Sequence, residues 1–168
     1  MMLCITRAVC EDKGVNFQNI ARHFRVWAHG EPMGIGENTY KVLMMGDYVD
    51  KPFEVFKMVW KMSRYRSAAN GGLMRTSVVG LFPKSVRLCA ENICKLTHYD
   101  PRCIGSCVIV SELVHAIVYG KPIPTFVDII RLSQEYDERI ASYVERAWYE
   151  NDIMNLMDDE HMGLSLIH

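Results

Sequence analysis

The chain has no Cys-x-x-Cys pair, although it carries six cysteines. Their spacing forms no disulfide framework either, which argues against a secreted disulfide scaffold and leaves reduced thiols in an intracellular, cytoplasmic protein. Neither sign of charge dominates: 19 Lys and Arg stand against 20 Asp and Glu, for a formal net charge of −1. No global field therefore favours nucleic acid. No apolar run approaches the length of a membrane span. The start, Met1 to Cys10, carries Arg7 and lacks a signal-peptide layout. Neither a nucleic-acid nor a membrane partner is expected. No segment sustains the alternation of a strand, and there is no repeat, low-complexity tract or linker.

What is present is helical period almost throughout. The 168 residues suffice for one domain with a real core, taken as residues 1–168, and eleven methionines suit a soft one. Residues 2–12 read as a helix ending near Gly14. Asn16 caps a second, with Phe17, Ile20, Ala21, Phe24, Trp27 and Ala28 at three-four spacing. A Gly- and Pro-rich loop covers His29 to Gly36, and a short helix runs from about Asn38 to Met45. Pro52 suits the first turn of the next helix, which turns Phe53, Phe56, Val59 and Trp60 inward. Helices follow from about Leu73 to before Pro83 and from about Ser85 to Leu96.

Asp100 and Pro101 are an N-cap and first helical residue. Their helix buries Ile104, Cys107, Val108, Ser111, Val114 and Val118 and stops at Gly120. After a turn over Lys121 to Pro124, one long helix carries Phe126, Ile129, Ile130, Tyr136, Ile140 and Val144. A last helix covers Glu150 to Met157. The expected class is all-α, a compact multi-helix bundle. Met1 to Ile5 begins inside an apolar pattern without a cap, and Gly163 to His168 opens another apolar segment. The chain thus reads as part of a larger domain, with apolar ends suited to a complementing chain or subunit.

Asn70-Gly71-Gly72-Leu73-Met74-Arg75-Thr76-Ser77 is the most informative stretch. Glycine permits close approach of a ligand and positive φ, and backbone N–H groups at a helix start attract phosphate. Lys61, Arg64 and Arg66 add positive charge upstream. The local pattern fits a phosphate-binding turn, but by itself more often marks an ordinary tight helix–helix connection with solvated basic residues. Arg75 either faces the anion or bonds helix carbonyls.

The order of blocks resembles the ADP-ribosylglycohydrolase family. Phe17 to Trp27 (FQNIARHFRVW) resembles the helix before that family's first glycine loop, and Met33-Gly34-Ile35-Gly36-Glu37-Asn38-Thr39 resembles the loop itself. Ser67 to Arg75 resembles its N-G-x-x-M-R block. Leu96 to Arg102 resembles a T-H-x-D-P block, and His161 to Leu166 weakly resembles a later G-Y-T-L helix. The resemblance implies an all-α fold and a cleft for ADP-ribose. It implies hydrolysis of the glycosidic bond between ADP-ribose and an acceptor such as a protein side chain, with a pair of Mg²⁺ ions. Asn70, Gly71 and Gly72 would contact the diphosphate or adjoining ribose. His98 would border the pocket, with Gly34, Ile35 and Gly36 lining it, so that Asn70, Gly71, Gly72 and His98 share one concave surface. The family's acidic T-D-D and G-G-D-T-D-T motifs, and its early G-x-x-x-G-D segment, do not occur here. The chain therefore resembles a partial domain without metal ligands, and no catalytic residue is assigned. A non-catalytic helical module that binds ADP-ribose or another protein is the alternative.

Other constellations read as structure. Asp158-Asp159-Glu160-His161 and Glu11-Asp12 are solvated helix ends. His98, Cys103, Cys107 and His115 do not make a zinc site, because a helix rises about 18 Å from Cys103 to His115, whereas zinc ligands lie about 2 Å from the metal. His23 and His29 are expected at the surface.

Overall fold

A computed structural model describes residues 1–30, 32–65 and 68–156. Among these, nine α-helices and three short 3₁₀ turns form a bundle with no strand. Helices α1 (Met2–Asp12) and α2 (Phe17–His29) pack together, followed by α3 (Glu37–Leu43) and α4 (Pro52–Met62). Next come α5 (Gly71–Thr76), α6 (Val86–Lys95), α7 (Pro101–Val118), α8 (Phe126–Tyr136) and α9 (Glu138–Tyr149).

The local chemistry that starts these helices is plain. Asn16 accepts the N–H groups of Gln18 and Asn19 at the head of α2. Thr125 and Asp128 form a capping box on α8. The main core gathers Ile5 and Ala8 of α1, Ile20, Ala21 and Phe24 of α2, Phe56 of α4 and Ile93 of α6. Glu11 bridges α1 to α2 by accepting from His23 and Arg22 at 2.9 and 3.4 Å. His23 is therefore half-buried and paired, not a free surface residue; His29 is exposed.

Helix α7 is the central post, packing against α5, α6, α8 and α9. By length and composition it is apolar enough to cross a membrane, contrary to the reading that no run approaches that length. Its apolarity has a local cause: it is buried on most sides, with Ile104, Cys107, Val108 and Ser111 inside. Val114 is only half-buried and Val118 is exposed, contrary to the expected burial of both. Gly105 sits where α8 and α9 cross it. A Cβ there would lie 2.5 Å from Ile140 Cδ1 and 2.8 Å from Tyr136 Cβ.

Three helix expectations are corrected. The long helix through Phe126 to Val144 is two. Asp137 is extended (φ −164°, ψ 127°), and its carboxylate takes the Arg139 N–H at 3.0 Å, capping α9 in competition with helix continuation. The break lets Ile129 of α8 and Ile140 of α9 meet Ile109 of α7 in one cluster. The helix from Leu73 is the short α5 followed by a 3₁₀ turn over Ser77–Leu81. No helix covers Glu150 to Leu156: α9 ends at Tyr149, and a 3₁₀ turn spans Ile153–Leu156. Met157 and the blocks Asp158 to His161 and His161 to Leu166 lie outside the described residues, as do Arg66 and Ser67.

Candidate functional site

The chain approaches the Asn70 turn through Arg64 and Tyr65, both left-handed at φ 54° and 63°. Asn70 lies in the right-handed region and makes no side-chain cap bond to α5. Among the described glycines, only Gly120 has a positive φ, so Gly71 and Gly72 do not use the backbone freedom expected of them. They are small for another reason. A Cβ on Gly71 would lie 3.5 Å from His98 Cε1 and 3.6 Å from its Nε2; one on Gly72 would lie 3.2 Å from His98 Cγ and 3.3 Å from Cys94 Sγ. The Asn-Gly-Gly block and the Thr-His block therefore meet, backbone against ring.

His98 is 1% exposed. Its N–H donates to the Cys94 carbonyl at 2.9 Å, and its Nδ1 shares a 2.8 Å hydrogen bond with the Thr97 hydroxyl. Burial, and then the positive charge of Arg75, pull the imidazole down to about 3. The ring is neutral at physiological pH, and its buried Nε2 has no hydrogen-bond partner among the described residues. That nitrogen is on the edge of the ring nearest Gly71. The buried Thr39 hydroxyl reaches the same place, 3.9 Å from the Gly71 Cβ position. Thr39 closes the first glycine-loop block, and its position just past Gly36 is the sequence signal that marks it. An aromatic row of Phe56, Tyr99, Trp60 and the exposed Tyr65 leads from His98 outward, with ring centroids 4.6–6.5 Å apart.

The other expected residues fall less centrally. Asn70 is half-buried beside the glycines. Gly34 and Gly36 are exposed, with no atom within 4 Å of a Cβ position, and Ile35 packs its side chain on the main core. Lys61 and Arg64 are exposed. Two described cavities lie elsewhere: one of 570 Å³ between Asn16–Gln18 and Asp50–Glu54, and an apolar one of 300 Å³ lined by Leu73, Ile109, Ile140 and Val144. Neither is lined by Asn70, Gly71, Gly72 or His98.

The structure decides Arg75. It is 3% exposed and donates to backbone carbonyls: Nη1 to Gly71 at 3.2 Å, Nη2 to Ile93 at 3.1 Å and to Cys94 at 3.3 Å. Its guanidinium also lies 5.0 Å from the Phe24 ring centroid.

The acidic residue of the Thr-His-Tyr-Asp-Pro block is equally committed. Asp100 is 2% exposed, caps α7 through the Arg102 N–H and holds the Arg102 guanidinium with both oxygens at 2.9 and 3.0 Å. Glu37, beside the glycine loop, is bound to Lys41 at the surface. Mg²⁺ takes hard oxygen ligands near octahedral positions. Among the described residues no group of three His, Cys, Asp or Glu side chains is placed to hold a metal ion, so the residues here do not fit the family's metal pair. Cys94, Cys103 and Cys107 are buried packing thiols behind the glycine turn, and burial pushes Cys94 and Cys103 up. His115 is occupied elsewhere, with Nδ1 3.1 Å from the Gly80 carbonyl and Nε2 2.8 Å from Lys121 Nζ.

No curated protein and no solved structure matches the chain. A family model described as ADP-ribosylglycohydrolase matches residues 1–164. The match spans the glycine loop, the Asn-Gly-Gly turn and the Thr-His block whose convergence is described above. The chain belongs to the ADP-ribosylglycohydrolase family.

Proposed function

We propose that this protein binds an ADP-ribosyl group where Thr39, Asn70, Gly71, Gly72 and His98 come together. The observation that carries the reading is His98: a buried, neutral imidazole whose unpartnered Nε2 faces the Gly71 backbone and the neighbourhood of the Thr39 hydroxyl. An unsatisfied buried polar atom is costly, so one in a native fold calls for an explanation, and a bound group supplies one. Helix α5 has only six residues, so aligned peptide dipoles supply little attraction for a diphosphate. Recognition rests instead on individual groups: the amide of Asn70, the Gly71 and Gly72 backbone, and the His98 ring. Gly34, Ile35 and Gly36 offer backbone from the loop that leads to Thr39.

The family chemistry is hydrolysis of the glycosidic bond to ADP-ribose, with Mg²⁺. Asp100 and Glu37 are already paired, which supports a reading in which the described residues contribute binding and not a metal-assisted step. Binding outlasts turnover in this reading, and the protein is impaired or inactive as a hydrolase on its own. The six free thiols support an intracellular, cytoplasmic setting. The test incubates the purified chain with an ADP-ribosylated protein, with Mg²⁺ and then with EDTA, beside calorimetric titration with ADP-ribose. ADP-ribose binding with negligible release of ADP-ribose supports the reading. Robust EDTA-sensitive release overturns the impairment, and absence of binding overturns the site.

The second reading is a non-catalytic module that engages a protein, such as a complementing chain or subunit. The apolar cavity over α7 and α9 favours it. Pull-down of a defined partner without any ADP-ribose affinity would select that reading.

A further inference from the structure

We infer that Arg75 is a positioning residue that sets the distance between the Gly71–Gly72 backbone and the His98 imidazole. The inference rests on the proposal that this place takes the ADP-ribosyl group. The geometry is a closed loop of contacts. One end of the guanidinium, Nη1, holds the Gly71 carbonyl at 3.2 Å. The other, Nη2, holds the carbonyls of Ile93 and Cys94 at the C-terminal end of α6. The Cys94 carbonyl also accepts the His98 N–H at 2.9 Å, so Arg75 and His98 grip the same oxygen. The Cys94 thiol in turn donates to the His98 carbonyl at 3.5 Å. His98 then closes the loop by packing its ring on Gly71 and Gly72.

This is a task for arginine in particular. The bonds run in two directions from one planar group, and a lysine ammonium cannot span both. The charge also suits its place, because it sits at the negative end of the α6 dipole and against the Phe24 ring. Its bonds go to backbone carbonyls and not to a carboxylate. The guanidinium therefore fixes main chain, and main chain is what the glycines present.

The test uses the full chain with Arg75→Lys and Arg75→Gln. Three quantities are read: the thermal melt, the ADP-ribose Kd, and the NMR cross-peak between a Gly71 α-proton and the His98 ring proton on Cε1. The wild type should show the cross-peak, since the ring carbon lies 3.5 Å from the Gly71 Cβ position. In at least one folded variant the cross-peak should weaken and the Kd should rise about tenfold, as lost charge-assisted bonds let the turn shift. If no folded variant shows both changes, the inference is overturned. Variants that both merely melt earlier, with their folded fractions binding normally, overturn it too, as does failure of both variants to fold, which marks a purely structural arginine. If the wild type binds no ADP-ribose, the site proposal falls, and the cross-peak alone decides the clamp.

Discussion

Gly72 and His98 lie so close that a single methyl group separates a seated imidazole from a displaced one. The Cβ of an alanine at position 72 would stand 3.2 Å from His98 Cγ, with Cys94 Sγ 3.3 Å away. Both neighbours are fully enclosed, so neither can swing aside freely. Gly72→Ala should cost about 1–2 kcal/mol through overpacking and weaken ADP-ribose binding. Gly34→Ala, in open space at a permitted φ, should stay within about 0.5 kcal/mol of wild type. Paired urea melts and ADP-ribose titrations check both. Equal stability of the two variants would mean that the ring yields.

The neutral state of His98 sets a pH dependence. Its folded value of about 3 lies well below the roughly 6.5 of an unfolded histidine. Between those values the unfolded chain binds a proton that the folded chain does not. The stability is therefore complete above pH 6.5 and is lost as pH falls through the window, by up to about 1.4 kcal/mol per pH unit. Urea midpoints should drop from pH 7.5 to pH 5, where most carboxylates remain ionised. His98→Gln should flatten that drop. An unchanged slope in the variant would show that His98 is not its source.

Gly105, the one glycine of α7, should not tolerate a side chain. Gly105→Ala forces its Cβ onto Ile140 and Tyr136, driving α8 and α9 away from α7. A loss of about 1–3 kcal/mol is expected, against the helix propensity that alanine normally gains. A rise in melting temperature would refute this packing.

Asp100 should matter as a fold residue. Asp100→Asn retains an oxygen for the Arg102 N–H but leaves the buried Arg102 guanidinium without its carboxylate. Removing one partner of a buried pair costs about 3–5 kcal/mol, and the lower end is expected because part of the Arg102 side chain meets solvent. Chemical denaturation measures it. If the variant were as stable as wild type yet failed to bind ADP-ribose, Asp100 would have to be reassigned to the site.

Much of this was legible in residue order. The apolar stripe from Phe17 to Ala28 and the cap at Asn16 define α2, because period and capping are local and need no partner. Asp100 and Pro101 start α7 for the same reason. The Asn-Gly-Gly and Thr-His-Tyr-Asp-Pro blocks point to the family that the model match then shows. The sequence also marks Gly71 and Gly72 as positions where a side chain is not wanted. It does not say what takes that space, since the His98 ring comes from a segment beyond α6.

Tertiary structure decided the rest. The break at Asp137 has a local cap, but its outcome is tertiary: it brings Ile129 and Ile140 onto Ile109 of α7 and seats Tyr136 and Ile140 against Gly105. Arg75 had two local fates of equal merit, anion or carbonyl, until folding brought the end of α6 within reach of its fork. Period, caps and turn residues act over a few neighbours, so the order of amino acids alone determined the all-α class and most helix boundaries. Which polar groups are consumed and which stay open, as His98 Nε2 does, depends on contacts between distant segments, and only the packed chain settles those.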